Sequence, residues 1–498
     1  MLRKEYYLPI IFILILVAQG CASWGTSQFV DQSQRPEQYE RFFNELDAAV
    51  DQAGVRNAAF NRVSGFPYLR ANRFLVAVKE RLKTDDQKQQ WVRWLQQLDV
   101  QARATEIQNL PLAAVAKLTA ADSELPDRKV LQERVISYSN KLLTHDQLQP
   151  NFYEALQTAV QNSSEYSTVM QVFGLYPITV IPVAVVTEMV FDEMAAWHQL
   201  PPEELATLGR LTAYAPARAM DYSQEAIQQI LIRSKQNPLE IPLPSAADRQ
   251  TLLAVFAPII IQDVAADYDK IGEVVWDQKQ IKIHSGNAVA YYYLSHAFFK
   301  KEPILQINYV FWFSARNGPR SPRIERGSID GLTVRVSLGP DGSPFMVDIM
   351  NNCGCYHFYV PRKELVKEIL PVPMAIDAFV PTWLPDNFPR QRLVIRLKSG
   401  WHQVEHVGTD DMSSRSISYR LIAYKHLEKL PRFDHANESM FTSTGIGKNS
   451  ERIEPIIFFP MGIPDIGSMR QRGHHAIKFV GRAHFDDPHL FDEHFHFN

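Results

Sequence analysis

Cysteine is scarce in this chain of 498 residues, which contains only three. Beyond the first two dozen residues only Cys353 and Cys355 remain, so a scaffold held by several disulfides is excluded. The paired Cys-x-x-Cys pattern of zinc sites and the Cys-x-x-Cys-His sequence of covalent haem are absent too. The net charge is only -3, so we expect no nucleic-acid partner.

Several motifs for nucleotides, esters and calcium are also missing. We find no P-loop, dinucleotide fingerprint, Gly-x-Ser-x-Gly elbow or EF-hand loop. No internal repeat or low-complexity tract is visible. The composition, 46% hydrophobic and 21% charged, is ordinary for a globular protein, and the length allows two or three domains.

The N-terminus has the pattern of an export signal. Arg3 and Lys4 precede an apolar run over residues 6–17, which is too short for a comfortable membrane span. Ala18-Gln19-Gly20-Cys21 follows and resembles the lipobox of bacterial lipoprotein signal peptides. An ordinary signal peptide with an incidental cysteine is the alternative.

The lipobox resemblance implies how the start of the chain is processed. Residues 1–20 would be the signal peptide, and Cys21 would carry a diacylglyceryl thioether. Residues 21–36 would then be a polar tether. Ala22 and Ser23 stand where inner-membrane lipoproteins have Asp, which implies sorting to the outer membrane. We therefore expect a lipid-anchored protein on the periplasmic face of that membrane.

The hydrophobic pattern divides the remainder into two regions. From 37 to 270 apolar residues recur at helical spacing, and Thr84 to Gln87 matches a capping box. From 271 to 498 the period changes to two, which indicates strands. The predicted strands are 281–283, 289–293, 304–313, 334–338, 345–349, 393–397, 417–424, 456–459 and 476–480. We expect an α+β protein with a mostly helical N-terminal domain and a β-rich C-terminal domain built on an antiparallel sheet.

Residues 173–190 form an unusual apolar segment. Pro177 and Pro182 interrupt it and Glu188 ends it. Since proline is poorly tolerated inside helices, we predict a buried irregular segment that leads into a helix through Trp197. Contact with a membrane surface is the alternative.

Cys353, Cys355 and His357 form the strongest candidate site. In an extended segment residues two apart share a face, and residues 345–349 would continue that face as an apolar stripe. Thiolate and imidazole suit zinc, copper or iron, so one such ion is a possible cofactor. Thiol-redox chemistry is a second possibility.

A structural disulfide is the other interpretation of these cysteines. Gly354 allows the backbone to curl enough for Cys353 and Cys355 to approach each other. If Cys21 is lipidated, exactly two cysteines remain in an oxidising compartment, which favours a bridge or a metal over free thiols.

His402-Gln403-Val404-Glu405-His406 resembles the His-x-x-Glu-His motif of the inverzincin metallopeptidases. The resemblance implies that both histidines bind zinc and that Glu405 is the general base, on a helix. Predicted strands surround the segment, and in a strand Glu405 would point away from the histidines. The peptidase role therefore requires a helix. Otherwise His402 and His406 remain possible ligands for a site shared with the cysteines.

Two further groups of side chains are candidate sites. His475 and His484 flank a predicted apolar strand and are secondary metal candidates, the alternative being an acidic solvated tail. A loop rich in glycine and proline carries four arginines that suit phosphate or carboxylate. They are Arg316, Arg320, Arg323 and Arg326. The alternative is a solvated loop paired with Glu325 and Asp330.

Two functions follow from these patterns. The first is a metal-dependent or thiol-redox enzyme centred on Cys353, Cys355 and His357. The second is a non-enzymatic envelope protein that binds a polymer or a protein, with the cysteines joined in a structural disulfide.

Overall fold

A computed structural model describes residues 35–120, 126–410 and 416–498. The signal peptide predicted at 1–20, the lipidation site at Cys21 and the tether up to residue 34 lie outside the described residues.

Helices dominate the first half of the chain and strands the second, as predicted. The helices are α1 (Glu37–Gln52), α2 (Arg73–Val78), α3 (Asp85–Asn109), α4 (Leu112–Thr119), α5 (Arg128–Gln147), α6 (Phe152–Ala159), α7 (Thr168–Phe173), α8 (Tyr176–Gln199), α9 (Gln224–Ser234), α10 (Ala246–Phe256), α11 (Pro455–Phe458) and α12 (Leu490–His494). The strands are β1 (Asn61–Val63), β2 (Phe66–Ala71), β3 (Arg210–Pro216), β4 (Ile259–Val264), β5 (Glu273–Asp277), β6 (Gln280–His284), β7 (Val289–Phe299), β8 (Glu302–Arg316), β9 (Gly327–Leu338), β10 (Pro344–Asn351), β11 (Phe358–Pro361), β12 (Val366–Ile369), β13 (Arg392–Leu397), β14 (Val404–Asp410), β15 (Ile417–Ala423), β16 (Leu430–Pro431), β17 (Asn437–Glu438) and β18 (Phe495–Phe497).

The helices before residue 160 pack around the β1–β2 hairpin. Phe43, Leu46 and Val50 of α1 are buried on one face, as their spacing predicts. The predicted capping box is present. The side chain of Thr84 accepts from the backbone N–H of Gln87, and the side chain of Gln87 accepts from the backbone N–H of Thr84. These elements share one hydrophobic core with α5 and α6.

The main sheet has ten strands in the order β11-β10-β9-β8-β7-β15-β3-β4-β13-β14. The meander β7 to β11 is antiparallel, as predicted, but β15 pairs in parallel with both β3 and β7. The strands β13 and β4 are also parallel. The sheet is therefore mixed, and the prediction of a purely antiparallel sheet is wrong. The strands β3 and β4 come from the region predicted to be mostly helix.

Two predicted strands near the C-terminus are wrong. Residues 455–458 form a helical turn, because Pro455 suits the first position of a helix and Gly462, at φ +78°, ends the segment. Residues 476–480 contain only an isolated bridge between Ala476 and His484. Short apolar runs have no clear periodicity, so strand and helical turn are not separable there.

The apolar segment 173–190 also differs from its prediction. Most of it is the helix α8, with Pro177 in the first turn, where no backbone N–H is needed. Pro182 lies inside the helix and leaves one carbonyl without its helical partner. The segment is not simply buried, because one face packs on the protein and the other faces solvent. Among the described residues, no helix has the length and apolar character needed to cross a membrane.

Candidate functional site

The cysteines lie in the tight turn that joins β10 to β11. The backbone N–H of Asn351 donates to the carbonyl of Cys355 at 3.1 Å, and that of Gly354 donates to Asn351 at 2.8 Å. Gly354 has φ +93°, and a Cβ there would lie 2.3 Å from the carbonyl oxygen of Ala476. Only glycine suits this close approach. The predicted extended conformation is therefore wrong, and the turn rather than a shared strand face brings the cysteines together.

The two cysteines are free thiols that interact with each other. The pKa of Cys353 is lowered, mainly because its sulfur accepts a hydrogen bond from the Cys355 thiol. Burial opposes this shift, and the nearby Arg316 guanidinium contributes to it. The same hydrogen bond and burial raise the pKa of Cys355 well above its usual value. Cys353 is thus the thiol that ionises first, and a thiolate is the reactive form.

His357 bonds to a carboxylate instead of the thiols. Its Nε2 lies 2.9 Å from Oδ2 of Asp348, whose Oδ1 accepts from Nε of Arg335 at 2.9 Å. Burial is the main cause that lowers the pKa of His357. The imidazole of His357 is therefore engaged by Asp348, although His357 and Cys355 line the same cavity.

Arg316 forms a buried ion network behind the thiols. Its Nε and Nη2 each lie 3.0 Å from Asp330, and its Nη1 donates to Glu325 at 2.6 Å. Glu325 also accepts from Nε1 of Trp401 at 2.8 Å and from the hydroxyl of Tyr356 at 2.5 Å. Both oxygens of Glu325 are therefore satisfied by hydrogen bonds.

The four arginines of the predicted anion-binding loop do not form a common site, because each has a different environment. Arg316 is buried in the network just described, which matches the alternative pairing with Glu325 and Asp330. Arg320 donates to Asp263, and Arg326 donates to two carbonyl groups of its own loop. Arg323 is exposed.

The His402 to His406 segment is not a helix, so the condition for a catalytic Glu405 is not met. His402 lies in a turn at φ +54°, and strand β14 starts two residues later. In the strand Glu405 and His406 point to opposite faces, and Glu405 pairs with Nε of Arg396 at 3.0 Å. The inverzincin arrangement is therefore absent.

His402 nevertheless belongs to the Arg316 network. Its Nδ1 lies 2.7 Å from Oδ2 of Asp330, and its ring stacks on Phe313 at 4.0 Å. Burial opposes its protonation, but Asp269 and Asp330 outweigh that effect and raise the pKa of His402. The imidazole reaches the thiols only through Asp330 and Arg316.

His475 and His484 are both neutral core residues. Burial lowers the pKa of each to about 3. His484 accepts from the backbone of Glu165 at 3.2 Å. Within the described ranges, no group of three or more His, Cys, Asp or Glu side chains is placed to hold a metal ion. A site for zinc, copper or iron stays a prediction from the sequence.

A cavity of about 640 Å³ lies between α8 and the cysteine turn. We call it the α8 cavity. Most of its lining is apolar, including Val183, Val190 and Phe191 of α8, and Phe191 stacks on Phe379 at 4.3 Å. Its polar lining consists of Thr179, Thr187, Glu325, Cys355, Tyr356, His357, Tyr359, Asp377, Trp401, Glu454 and Lys478. Apolar walls with a few polar groups are typical of sites for small organic ligands.

Glu454 is the unusual group in this cavity. It is only 6% exposed, yet its Oε2 has no hydrogen-bond partner among the described residues. Burial, followed by the neighbouring charge of Glu325, raises the pKa of Glu454 to about 7. Gly467 makes room for this carboxylate, since a Cβ there would lie 1.5 Å from Oε2. Near neutral pH the group can therefore either donate or accept a hydrogen bond.

Lys478 is the one cation that lines the α8 cavity in the described structure. Burial lowers its pKa to about 8. Its Nζ donates to the carbonyl of Ile376 at 2.8 Å and lies 2.8 Å from Nε2 of His494. Neither Lys478 nor Glu454 is predicted from the sequence as a site residue. A lone lysine within the apolar run 476–480 was a usable signal, whereas nothing local marks Glu454.

No protein-family model, curated protein or solved structure matches this chain. The geometry itself offers an apolar space large enough for a hydrocarbon chain, lined also by an unpaired acid, a thiol and a lysine. Such a site can hold an amphiphile and bind its polar group.

Proposed function

We propose that this protein is an envelope lipoprotein that binds a fatty acyl chain in the α8 cavity. The observation that carries the proposal is the cavity itself, which has about 640 Å³ and a mainly apolar lining. Transfer of each CH₂ group from water into such a space contributes about 0.8 kcal/mol. A long acyl chain therefore gains more from this site than a compact polar molecule does.

Polar groups in the lining support an acyl chain that ends in a carboxyl or ester group. Glu454 lacks a partner and, near its pKa of about 7, can donate to a carbonyl oxygen. Lys478, when protonated, can pair with a carboxylate. A buried polar group gains most from a ligand that satisfies it, so these two side chains favour a ligand with oxygen atoms at one end.

The location of the protein is part of the same proposal. The resemblance of residues 18–21 to a lipobox supports anchoring through Cys21 at the periplasmic face of the outer membrane. There the membrane and its acyl chains are the nearest partners. Lipidation is tested by palmitate labelling: unchanged labelling of Cys21→Ala would contradict it.

Equilibrium titration with palmitate tests the binding proposal. A fluorescent apolar probe is loaded first, and palmitate is expected to displace it with about one equivalent bound. Val183→Trp is expected to weaken binding at least tenfold, because its side chain lines the cavity. Val185→Trp places the same indole on the exposed face of the same helix and is the matched control.

Two results would contradict acyl binding. One is no displacement of the probe by palmitate, and the other is equal displacement from both tryptophan variants. Ala378→Leu, a smaller intrusion into the cavity, keeps the test valid if Val183→Trp does not fold.

Thiol-redox chemistry is a second candidate, favoured by the lowered pKa of Cys353 beside Cys355. The Cys353 thiolate would attack a disulfide of a partner and release one thiolate. The Cys355 thiol, after losing its proton, would then form the Cys353–Cys355 bond and release the second sulfur. Incubation with oxidised glutathione, followed by mass spectrometry, is expected to show the loss of two hydrogen atoms. Persistent free thiols would exclude the reaction.

Elemental analysis of the protein starting at residue 22 decides the metal prediction. About one equivalent of zinc, copper or iron that is lost in Cys353→Ser would establish a metal site. Metal retained by that variant would exclude Cys353 as a ligand.

A further inference from the structure

The outer face of α8 continues into a larger exposed apolar surface. We call it the docking surface, and its α8 part includes Ile178 (67% exposed), Ile181 (63%) and Met189 (66%). The segment 455–461 packs against both α7 and α8 and adds Ile456, which is 80% exposed. The full set is Phe173, Leu175, Ile178, Ile181, Val185, Val186, Met189, Ile456 and Ile457. Contiguous apolar surface of this kind marks an interaction site.

The chemistry of the docking surface favours lipid over protein. The sequence contains no charged residue between Glu165 and Glu188, so the docking surface before the exposed Glu188 carries no charge on α7 or α8. None of the listed side chains has a strong hydrogen-bonding group, whereas protein interfaces form roughly one hydrogen bond per 100–200 Å². Hydrocarbon requires no such bonds from the surface that enters it.

The helical backbone suits the same environment. In α8 most peptide groups are satisfied within the helix, as burial in a bilayer requires. Its inner face packs around the α8 cavity through Val183, Val190 and Phe191, so only the outer face is available. A helix whose apolar face is exposed can bury that face in a bilayer by lying in the plane of the membrane interface.

The docking surface is continuous with the α8 cavity. Val186 and Ile457 line the cavity and are also 57% and 60% exposed. They therefore stand where the cavity meets the surface. An acyl chain that left a bilayer here would pass from lipid to cavity over Val186 and Ile457, without crossing water.

We propose that the docking surface inserts into the hydrocarbon boundary of a lipid bilayer and places the opening of the α8 cavity against the lipid. The entry route for acyl chains rests on the proposed function, but the docking itself does not. Because no cation belongs to the docking surface, binding is expected on zwitterionic lipid and is expected to persist at high salt.

Flotation with phosphatidylcholine vesicles tests the proposal. The protein starting at residue 22 is used, since every described contact lies at or beyond Arg35. The triple variant Ile178→Ser/Ile181→Ser/Val185→Ser changes exposed residues of α8 that do not line the cavity. Its partition coefficient is expected to fall at least tenfold, because each substitution removes apolar area.

A second triple variant controls for general loss of surface hydrophobicity. Leu112→Ser/Leu148→Ser/Phe433→Ser removes three side chains of similar exposure from other elements, and it is expected to float like the unchanged protein. Thermal melting verifies that both variants are folded. Equal flotation of the two triples, or no flotation of the unchanged protein, would overturn the proposal.

Two further outcomes are distinguished by other measurements. If the unchanged protein forms a dimer without lipid and the α8 triple is a monomer by sedimentation, the surface is a protein interface and the proposal is wrong. Palmitate titration of the α8 triple separates the two claims. Normal palmitate binding without flotation would overturn docking alone, whereas flotation without palmitate binding would overturn the proposed function alone.

Discussion

Two buried clusters of charge in this protein differ in one respect. In the helical region, which we call the α3 cluster, Arg70 and Arg103 hold both oxygens of Asp99 at 3.1 and 2.8 Å. Glu106 accepts from Arg70 and from the backbone of Asn57, both at 2.9 Å. Every carboxylate oxygen of these two acids therefore has a partner.

The cluster beside the α8 cavity is built similarly, but one of its carboxyl groups lacks a hydrogen-bond partner. Arg316 satisfies Asp330 and Glu325, as the arginines do in the α3 cluster. Glu454, however, keeps an oxygen without a partner, and its charge partly opposes the lowering of the Cys353 pKa. Networks in which every group is paired hold a fold together, whereas an unsatisfied buried group on a residue that lines a cavity indicates a ligand.

The largest expected change in stability comes from a substitution in the α3 cluster. Asp99→Asn removes the charge that Arg70 and Arg103 share, with little change of volume. Removing one partner of a buried ion pair costs about 3–5 kcal/mol, which urea unfolding would measure as a lower midpoint. Asp85→Asn on the same helix changes an exposed carboxylate that pairs with Lys88 and is expected to change stability by less than about 0.5 kcal/mol. A small loss in Asp99→Asn would show that the α3 cluster is not structural.

In the cluster beside the α8 cavity, neutralising the unpaired carboxyl group is expected to raise stability instead of lowering it. Burial raises the pKa of Glu454 from 4.5 to about 7, so the folded state holds this proton more tightly than the unfolded state. Its contribution is fully present below pH 4.5 and is lost as the pH rises through about 7. Glu454→Gln removes this loss and is expected to be more stable than the unchanged protein at pH 8, by at most about 3 kcal/mol.

The control for this prediction is Glu451→Gln, which alters an exposed carboxyl three residues away. The measurement is the difference in unfolding free energy between each variant and the unchanged protein from pH 4 to pH 8. A difference for Glu454→Gln that stays constant with pH would mean that this carboxyl titrates normally.

The smallest expected change is a shift in the pKa values of Cys353 and Cys355. In Cys355→Ala the thiol that donates to Cys353 is gone, so the pKa of Cys353 is expected to rise. Titration of the ultraviolet absorbance of the thiolate, in protein starting at residue 22, would show the shift to higher pH. In Cys353→Ala the pKa of Cys355 is expected to fall toward its usual value. Unchanged titration in both variants would mean that the two thiols do not interact.

The sequence predicts the helical region around the α3 cluster better than the region around the α8 cavity, for a physical reason. Helix α1 and the capping box at Thr84 depend on residues three to four apart, which a periodic pattern reveals. The antiparallel meander is also local, because Gly339 to Gly342 joins adjacent strands. The parallel pairing of β15 with β3 joins residues about two hundred positions apart, and no local pattern encodes it.

The site illustrates the same limit. Cys353 and Cys355 are its predicted centre, but only Cys355 lines the cavity, and a turn at Gly354 takes the place of the predicted extended geometry. His357 turned to Asp348, which lies across the hairpin. The partners that define the cavity, Glu454 and α8, come from distant parts of the chain and meet only in the folded protein.

Photo-crosslinking tests the central claim most directly. The protein starting at residue 22 is incubated with palmitate that carries a terminal diazirine, irradiated without vesicles, and mapped by mass spectrometry. Adducts are expected on cavity residues such as Val183, Phe379 and Phe479, and an excess of unlabelled palmitate should abolish them. Adducts confined to exposed residues such as Ile178, or to regions outside the cavity, would contradict acyl binding in the α8 cavity.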